Sequence, residues 1–330
     1  MPDRSSPRQH NRLFGQRAAA CAVESAGTSR ASGLILHGDK GVGKATLAYR
    51  IARAYLGATA PGDPTEGDAP FSFSPHDPVF AQIAEGSCPN LYVVEPSKEG
   101  ASASISVDAI REAVTFFYHT SLNDAPKCVI IDGADAMNRN AQNALLKMLE
   151  QPTGSGGFIL VCHRLSALLP TIVSRCRKIF LPSPSEIDCM RAMASHAIDN
   201  AKEEISTAIT LARRSPGRAL ALLETGAAET YASMRKAAMA SLKGDYVAFT
   251  EECAGLTKRL RDAATEGKSD ALYLIGALVA EFSDPASAPD MPSFLREELW
   301  RRHAEAARYA ENIYLDLPSV VKNTLAFGFA

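Results

Sequence analysis

Gly38-Asp39-Lys40-Gly41-Val42-Gly43-Lys44-Ala45 is the stretch that decides the fold. It follows the apolar run Leu34-Ile35-Leu36 and precedes Leu47, Ala48, Ile51, Ala52 and Tyr55, whose spacing predicts a helix. Strand, glycine-rich loop and helix in that order fit the pattern G-x-x-x-x-G-K-[ST]. In that pattern backbone N–H groups and a helix N-terminus cradle phosphate while the lysine reaches its outer oxygens. The candidate nucleotide-binding residues are therefore Gly38, Gly41, Gly43 and Lys44, with Ala45 and Thr46 following in the first helical turn. Ala45 departs from the pattern, because a methyl group stands where a Ser or Thr hydroxyl would bind Mg²⁺. Thr46 does not repair this by position, since one step along a helix turns a side chain by about 100°. The expectation is a loop fit to hold the phosphates of ATP or ADP and poorly equipped to use them, with nucleotide and Mg²⁺ occupancy left open.

Outward from the loop the chain alternates strand and helix. Leu91-Tyr92-Val93-Val94 reads as a strand, Val107 to Tyr118 as a helix, and Cys128-Val129-Ile130-Ile131-Asp132 as a buried strand. A helix from Arg139 to Glu150 follows, stopped by Gln151-Pro152, and then the strands Phe158 to Cys162 and Lys178 to Leu181. Five near-continuous apolar strands separated by helical patterns predict an α/β domain, a parallel five-stranded sheet covered on both faces, with the strand order undetermined. Asp132 ends its strand where a carboxylate can hold a Mg²⁺-bound water beside a nucleotide; an ordinary strand-end or capping role is the alternative. Gly133 follows it with no side chain to polarise an attacking water. Asp135 reads as a turn residue before Asn138.

The remaining composition narrows the function. With 330 residues, 46% hydrophobic and 22% charged, the chain is long enough for two or three domains. Its formal net charge of -2 gives no overall positive field for independent binding to a nucleic-acid backbone. Seven cysteines without a C-x-x-C pair suit a reducing compartment. The polar start Met1 to Arg12 has no signal-peptide core, so a cytoplasmic, non-membrane protein is expected. Gly57 to Pro78, rich in Pro, Gly, Asp and Ser, is expected to be an exposed loop or irregular insertion. After the break Pro182-Ser183-Pro184 every pattern is helical. The domain boundaries expected are 1–182, a helical stretch 183–225 and a second helical region 226–330.

Two arginines stand out. Arg175, in Ser174-Arg175-Cys176, follows the fourth strand near a domain edge, where it makes a surface ion pair or reaches charge on a neighbouring molecule. Arg218 falls in the first turn of a helix begun by Ser215-Pro216, where a cation opposes the helix dipole unless it faces a phosphate or a carboxylate. The seven histidines show no metal-ligand spacing, and Trp300, within the charged run Arg296 to His303, reads as core or interface.

Together these residues resemble the AAA+ clamp-loader subunits of bacterial DNA polymerase III. The resemblance rests on Leu13-Phe14-Gly15-Gln16, on Gly38 to Ala48, on Asn143-Ala144-Leu145-Leu146-Lys147-Met148-Leu149-Glu150-Gln151-Pro152, on Ser174-Arg175-Cys176 and on Ser215-Pro216-Gly217-Arg218. It implies a RecA-like domain, a small helical lid and a C-terminal helical collar. It implies too that Arg175 acts in trans, as an arginine finger, on ATP held by an adjacent motor subunit, and that Arg218 matches the lid arginine called sensor 2. The implied partners are the gamma/tau motor subunits, the delta subunit, the sliding clamp beta and primed DNA. ATP-hydrolysing members carry a hydroxyl and a glutamate where this chain has Ala45 and Gly133, which places it with the stationary subunit of weak or absent ATPase activity. Many relatives carry a four-cysteine zinc module after the first helix; the Gly57 to Cys88 region supplies one cysteine, so no zinc is expected.

Overall fold

The computed structural model describes residues 6–10, 12–25, 33–59, 62, 70–97, 104–118, 125–150, 156–196, 202–262, 265–309 and 317–329. The chain forms two compact units, residues 1–199 with 213–218, and residues 200–212 with 219–330.

In chain order the first unit contains α1 (Arg17–Ser25), β1 (Gly33–His37), α2 (Lys44–Tyr55), α3 (Pro78–Glu85), β2 (Leu91–Val94), α4 (Val107–Tyr118), β3 (Lys127–Asp132), α5 (Arg139–Glu150), β4 (Gly156–Cys162), α6 (Pro170–Arg175), β5 (Cys176–Phe180) and α7 (Glu186–Ser195). The five strands form one parallel sheet in the order β2-β3-β4-β1-β5. This supplies the order that the sequence left open and places β1, which feeds the glycine-rich loop, between β4 and β5.

Alternation along the strands sends side chains to two cores, as a pleated strand requires. Leu34, Leu36, Cys128, Ile130, Ile159 and Val161 pack with Leu47, Ala48, Ile51 and Ala52 of α2 and with Ala19, Ala20 and Val23 of α1. On the opposite face Ile35, Val129, Ile131, Leu160 and Cys162 meet Ile110, Ala113 and Phe117 of α4 and Ala141, Leu145 and Met148 of α5. Both faces are covered, which is why the strands read as continuous apolar runs.

The described residues between Gly57 and Asp77 form no helix or strand, as expected of an irregular stretch, and α3 begins at Pro78; residues 60–61 and 63–69 lie outside the described ones. Asp77, itself buried, accepts N–H bonds from Val79 and Phe80 at 2.9 and 3.3 Å and so caps α3, with Pro78 in its first turn. Two fully buried arginines of α2 organise this region. Arg50 donates to the carbonyls of Phe71 (3.0 Å) and Pro70 (3.1 Å). Arg53 donates to those of His10 and Arg8, with its guanidinium 3.7 Å from the centre of the Phe80 ring. Burial lowers the Arg53 pKa to about 9, with the charge of Arg50 acting in the same direction.

Every described element after β5 is helical. The second unit contains α8 (Lys202–Leu211), most of α9 (Pro216–Glu224), then α10 (Ala227–Leu242), α11 (Tyr246–Asp262), α12 (Thr265–Ser283), α13 (Ser293–Tyr309), α14 (Leu317–Leu325) and a closing 3-10 turn at Ala326–Phe329. Met234, Leu256, Ile275, Leu278, Leu299, Val321 and Phe327 are buried there. The Tyr231 hydroxyl donates to Glu281, which also accepts from Arg235 at 2.8 Å. Trp300 is 51% exposed, edge-on to His303, and so does not belong to the core. Among the described residues no helix is long and apolar enough to cross a membrane.

Candidate functional site

The ends of β1, β3 and β4 converge on the loop. Lys44 opens α2 behind Gly43, whose left-handed backbone serves as the N-cap. Only 3% of Lys44 is exposed, and its ammonium donates to the carbonyls of Gly38 (2.8 Å) and Asp39 (2.6 Å). Burial lowers its pKa, while Asp132 and Asp135 act in the opposite direction. Ala45 and Thr46 are half-buried in the first turn of α2.

Asp132, at the end of β3, has its carboxyl raised to about 6, first by burial and then by the charge of Glu95; Lys44 and the N–H of Gly133 pull it back. Asp135, in the 3-10 turn Ala134–Ala136, accepts the His163 N–H at 3.0 Å and has His163 Nδ1 at 3.7 Å and Arg164 Nε at 3.9 Å. It ties the end of β3 to the end of β4, a duty not legible in the turn reading. Burial lowers the His163 pKa, and the Lys44 charge adds to this while Asp135 opposes it.

Gly133 adopts φ +80° and ψ 43°, a left-handed conformation that residues with a side chain adopt at a penalty. A Cβ added there would lie 3.0 Å from Pro96 Cγ. The backbone itself therefore discourages any side chain at the position where a glutamate base would stand.

The turn preceding α9 closes on the loop from its own part of the first unit. Ser215 donates its hydroxyl to the Lys40 carbonyl at 2.7 Å, and the Gly217 N–H donates to the Gly41 carbonyl at 2.9 Å. Gly41, at φ +83°, makes this approach possible: a Cβ there would meet Ser215 Oγ at 2.5 Å and the Arg218 backbone nitrogen at 2.8 Å. The Ser215 hydroxyl proton is thus directed to the loop, and the Arg218 backbone sits beside it. Sequence reading placed Arg218 on its helix turn but missed Ser215 and Gly217 as partners of the loop, because the hydrogen bonds join residues about 175 positions apart.

Arg175 is placed differently. It ends α6 with its side chain 38% exposed, one Nη 2.9 Å from a Glu150 carboxylate oxygen and the other donating to the Thr171 carbonyl at 3.0 Å. The structure brings Lys44, Asp132, Asp135 and His163 into one electrostatic group, whereas these contacts of Arg175 are to the ends of α5 and α6. Among the described residues there is no group of three or more His, Cys, Asp or Glu side chains placed to hold a metal ion.

Residues 22–185 match the family described as "DNA polymerase III, delta subunit". The Pseudomonas aeruginosa protein "DNA polymerase III subunit delta'" is 33% identical over 200 residues, covering 61% of this chain and 58% of that protein. The Escherichia coli protein of the same name is 28% identical over 191 residues, covering 58% and 54%. Human "Replication factor C subunit 5" is 33% identical over 132 residues, 38% of each chain. The chain spans about half the length of these bacterial relatives. Over this region the chain is similar to the delta-prime subunits of bacterial DNA polymerase III.

Proposed function

We propose that this chain is the stationary, largely non-hydrolysing subunit of a DNA polymerase III clamp loader, and that it donates Arg175 to ATP held by a neighbouring motor subunit. The observation that carries the reading is the contrast between the two places where phosphate chemistry would be expected. At the chain's own loop the metal-binding hydroxyl is replaced by Ala45, and the position of the general base is a glycine in a left-handed backbone. The Lys44 ammonium is satisfied by its own loop carbonyls. At the end of α6, by contrast, a partly exposed guanidinium stands on a short helix with an exposed carboxylate of Glu150 and the Thr171 carbonyl as neighbours. An arginine delivered in trans to a transferring phosphoryl group raises turnover by orders of magnitude.

The same reading divides the chain into a RecA-like part to residue 182, a lid from 183 to 225 and a collar from 226. It assigns gamma/tau motors, a delta subunit, a beta clamp and primed DNA as partners in the cytoplasm. Gly38, Gly41, Gly43, Lys44, Ala45, Thr46, Asp132 and Arg218 then line a nucleotide site kept for binding or for architecture. Asp135 is engaged with His163 and Arg164, an arrangement that gives no support to its acting as a substitute base.

The test reconstitutes the loader with the Arg175→Ala chain and measures DNA-dependent ATP turnover and clamp loading. Turnover is expected to fall at least ten-fold at one motor site, while the purified chain alone shows none above background. Unchanged loader turnover removes the role of Arg175. Robust turnover by the chain alone, abolished by Lys44→Ala, overturns the non-hydrolysing assignment.

A further inference from the structure

Glu150 is the last residue of α5, where a carboxylate adds to the negative end of the helix dipole and is disfavoured unless a cation offsets it. Arg175, the last residue of α6, supplies that cation at 2.9 Å. The Thr171 carbonyl, one turn back in α6, accepts from the other Nη at 3.0 Å, so one hydrogen bond within α6 and the charge of Glu150 together hold the guanidinium against its own chain. The Glu150 and Arg175 side chains are 49% and 38% exposed. An ion pair so open to water contributes little to folding, and its members exchange partners at small cost. A phosphate oxygen, like the carboxylate that Arg175 already faces, is an anionic acceptor that a guanidinium pairs with strongly.

We propose that Glu150 is the positioning residue of Arg175, holding the guanidinium against its own chain until a phosphate oxygen of a nucleotide on a neighbouring subunit displaces the carboxylate. This rests on the reading of Arg175 as a donor in trans. Glu150 and the incoming phosphate compete for one group, so the carboxylate weakens engagement of nucleotide before and during the reaction alike. Its removal shifts the ATP concentration at which the loader works more than the rate at saturation.

Two measurements test this. In the isolated chain, modification of Arg175 by phenylglyoxal is followed by peptide mass spectrometry, with the more exposed Arg164 as internal reference. Glu150→Gln is expected to raise the Arg175 rate about two- to five-fold, the range expected of a surface ion pair, and Glu150→Asp to give an intermediate rate. In the reconstituted loader, Glu150→Gln is expected to lower the KM for ATP by a similar factor, with the effect on kcat smaller than that on KM. An unchanged modification rate overturns the holding contact. A faster modification with unchanged KM, or a loss confined to kcat, overturns the exchange. A loader with Arg175→Ala that turns over normally sinks the trans reading and the exchange with it, while the modification rate still decides whether Glu150 holds the side chain.

Discussion

Restoring a side chain at position 133 tests whether the missing base is a single substitution or a property of the backbone. At φ +80° a non-glycine residue costs about 1 kcal/mol, since its Cβ crowds the adjacent carbonyl. The added Cβ would lie 3.0 Å from Pro96 Cγ and 3.5 Å from its Cδ, so the proline ring must shift by a few tenths of an ångström, adding about 0.5–1 kcal/mol. Gly133→Ala is therefore expected to destabilise the first unit by about 1.5–2 kcal/mol, or about 3–8 °C in Tm for a unit of this size. Gly133→Glu adds a carboxylate beside Asp132, whose own carboxyl is already raised to about 6 with the Glu95 and Asp135 charges contributing. It is expected to cost about 0.5 kcal/mol more at neutral pH, and to leave ATP turnover undetectable because Ala45 still offers Mg²⁺ no oxygen. Urea unfolding of the two variants, with turnover measured alongside, gives the answer. A Gly133→Ala penalty below about 0.5 kcal/mol would refute the backbone argument, and turnover by Gly133→Glu alone would refute the claim that the site has two independent defects.

Arg53→Ala is expected to cost about 3 kcal/mol in urea unfolding, because it strips two backbone carbonyls of their donor and removes a guanidinium stacked on Phe80 inside the fold. Arg53→Lys, which lacks the planar fork, is expected to recover less than half of that. His196 has its pKa lowered to about 4 by burial, with the charges of His10 and Arg12 acting in the same direction. The unfolded chain takes up this proton below about pH 6.5 and the folded chain only near pH 4, so stability falls as pH drops through that window. The ring is partly buried but still reaches solvent, which limits the effect to about 1–2 kcal/mol. His196→Gln is expected to flatten the stability profile between pH 6.5 and 4, and identical slopes for variant and parent would count against this assignment.

Much of the first unit is legible in the sequence because its determinants are local. The five strands are short apolar runs, and α4 and α5 coincide with the helices read over Val107–Tyr118 and Arg139–Glu150, the second stopping before Pro152. Strand order is not legible, since each pairing joins runs tens of residues apart. Nor is α3, whose cap and anchorage come from Asp77 and from two arginines one helix upstream. Arg50 and Arg53 would pass for a solvated helix face, yet both are fully buried because backbone carbonyls of the N-terminal segment and of residues 70–71 take up their donors. At the site itself the sequence exposes what is missing at Ala45 and Gly133. It conceals the left-handed backbone at 133, the link from Asp135 to His163, and the Glu150 contact of Arg175, all of which depend on tertiary placement.

The glycine-rich loop also shows why such a motif is a weak witness to chemistry by itself. Gly41 is needed here for a reason that involves no phosphate: the turn Ser215–Gly217 packs so close that any Cβ would strike it, and two loop carbonyls are its hydrogen-bond acceptors. Lys44, the other hallmark, is buried and bonded to the loop's own carbonyls. A loop with these internal duties persists whether or not nucleotide is turned over. On the reading proposed above, discrimination falls to positions 45 and 133: Ala45 stands half-buried in the first turn of α2, and the left-handed backbone at Gly133 disfavours any side chain. Arg175 presents the reverse case. Its bonds to Glu150 and Thr171 lie at the surface and stabilise the fold little, so a charge there is not required by folding, and that surplus is the physical reason to look for its work on another chain.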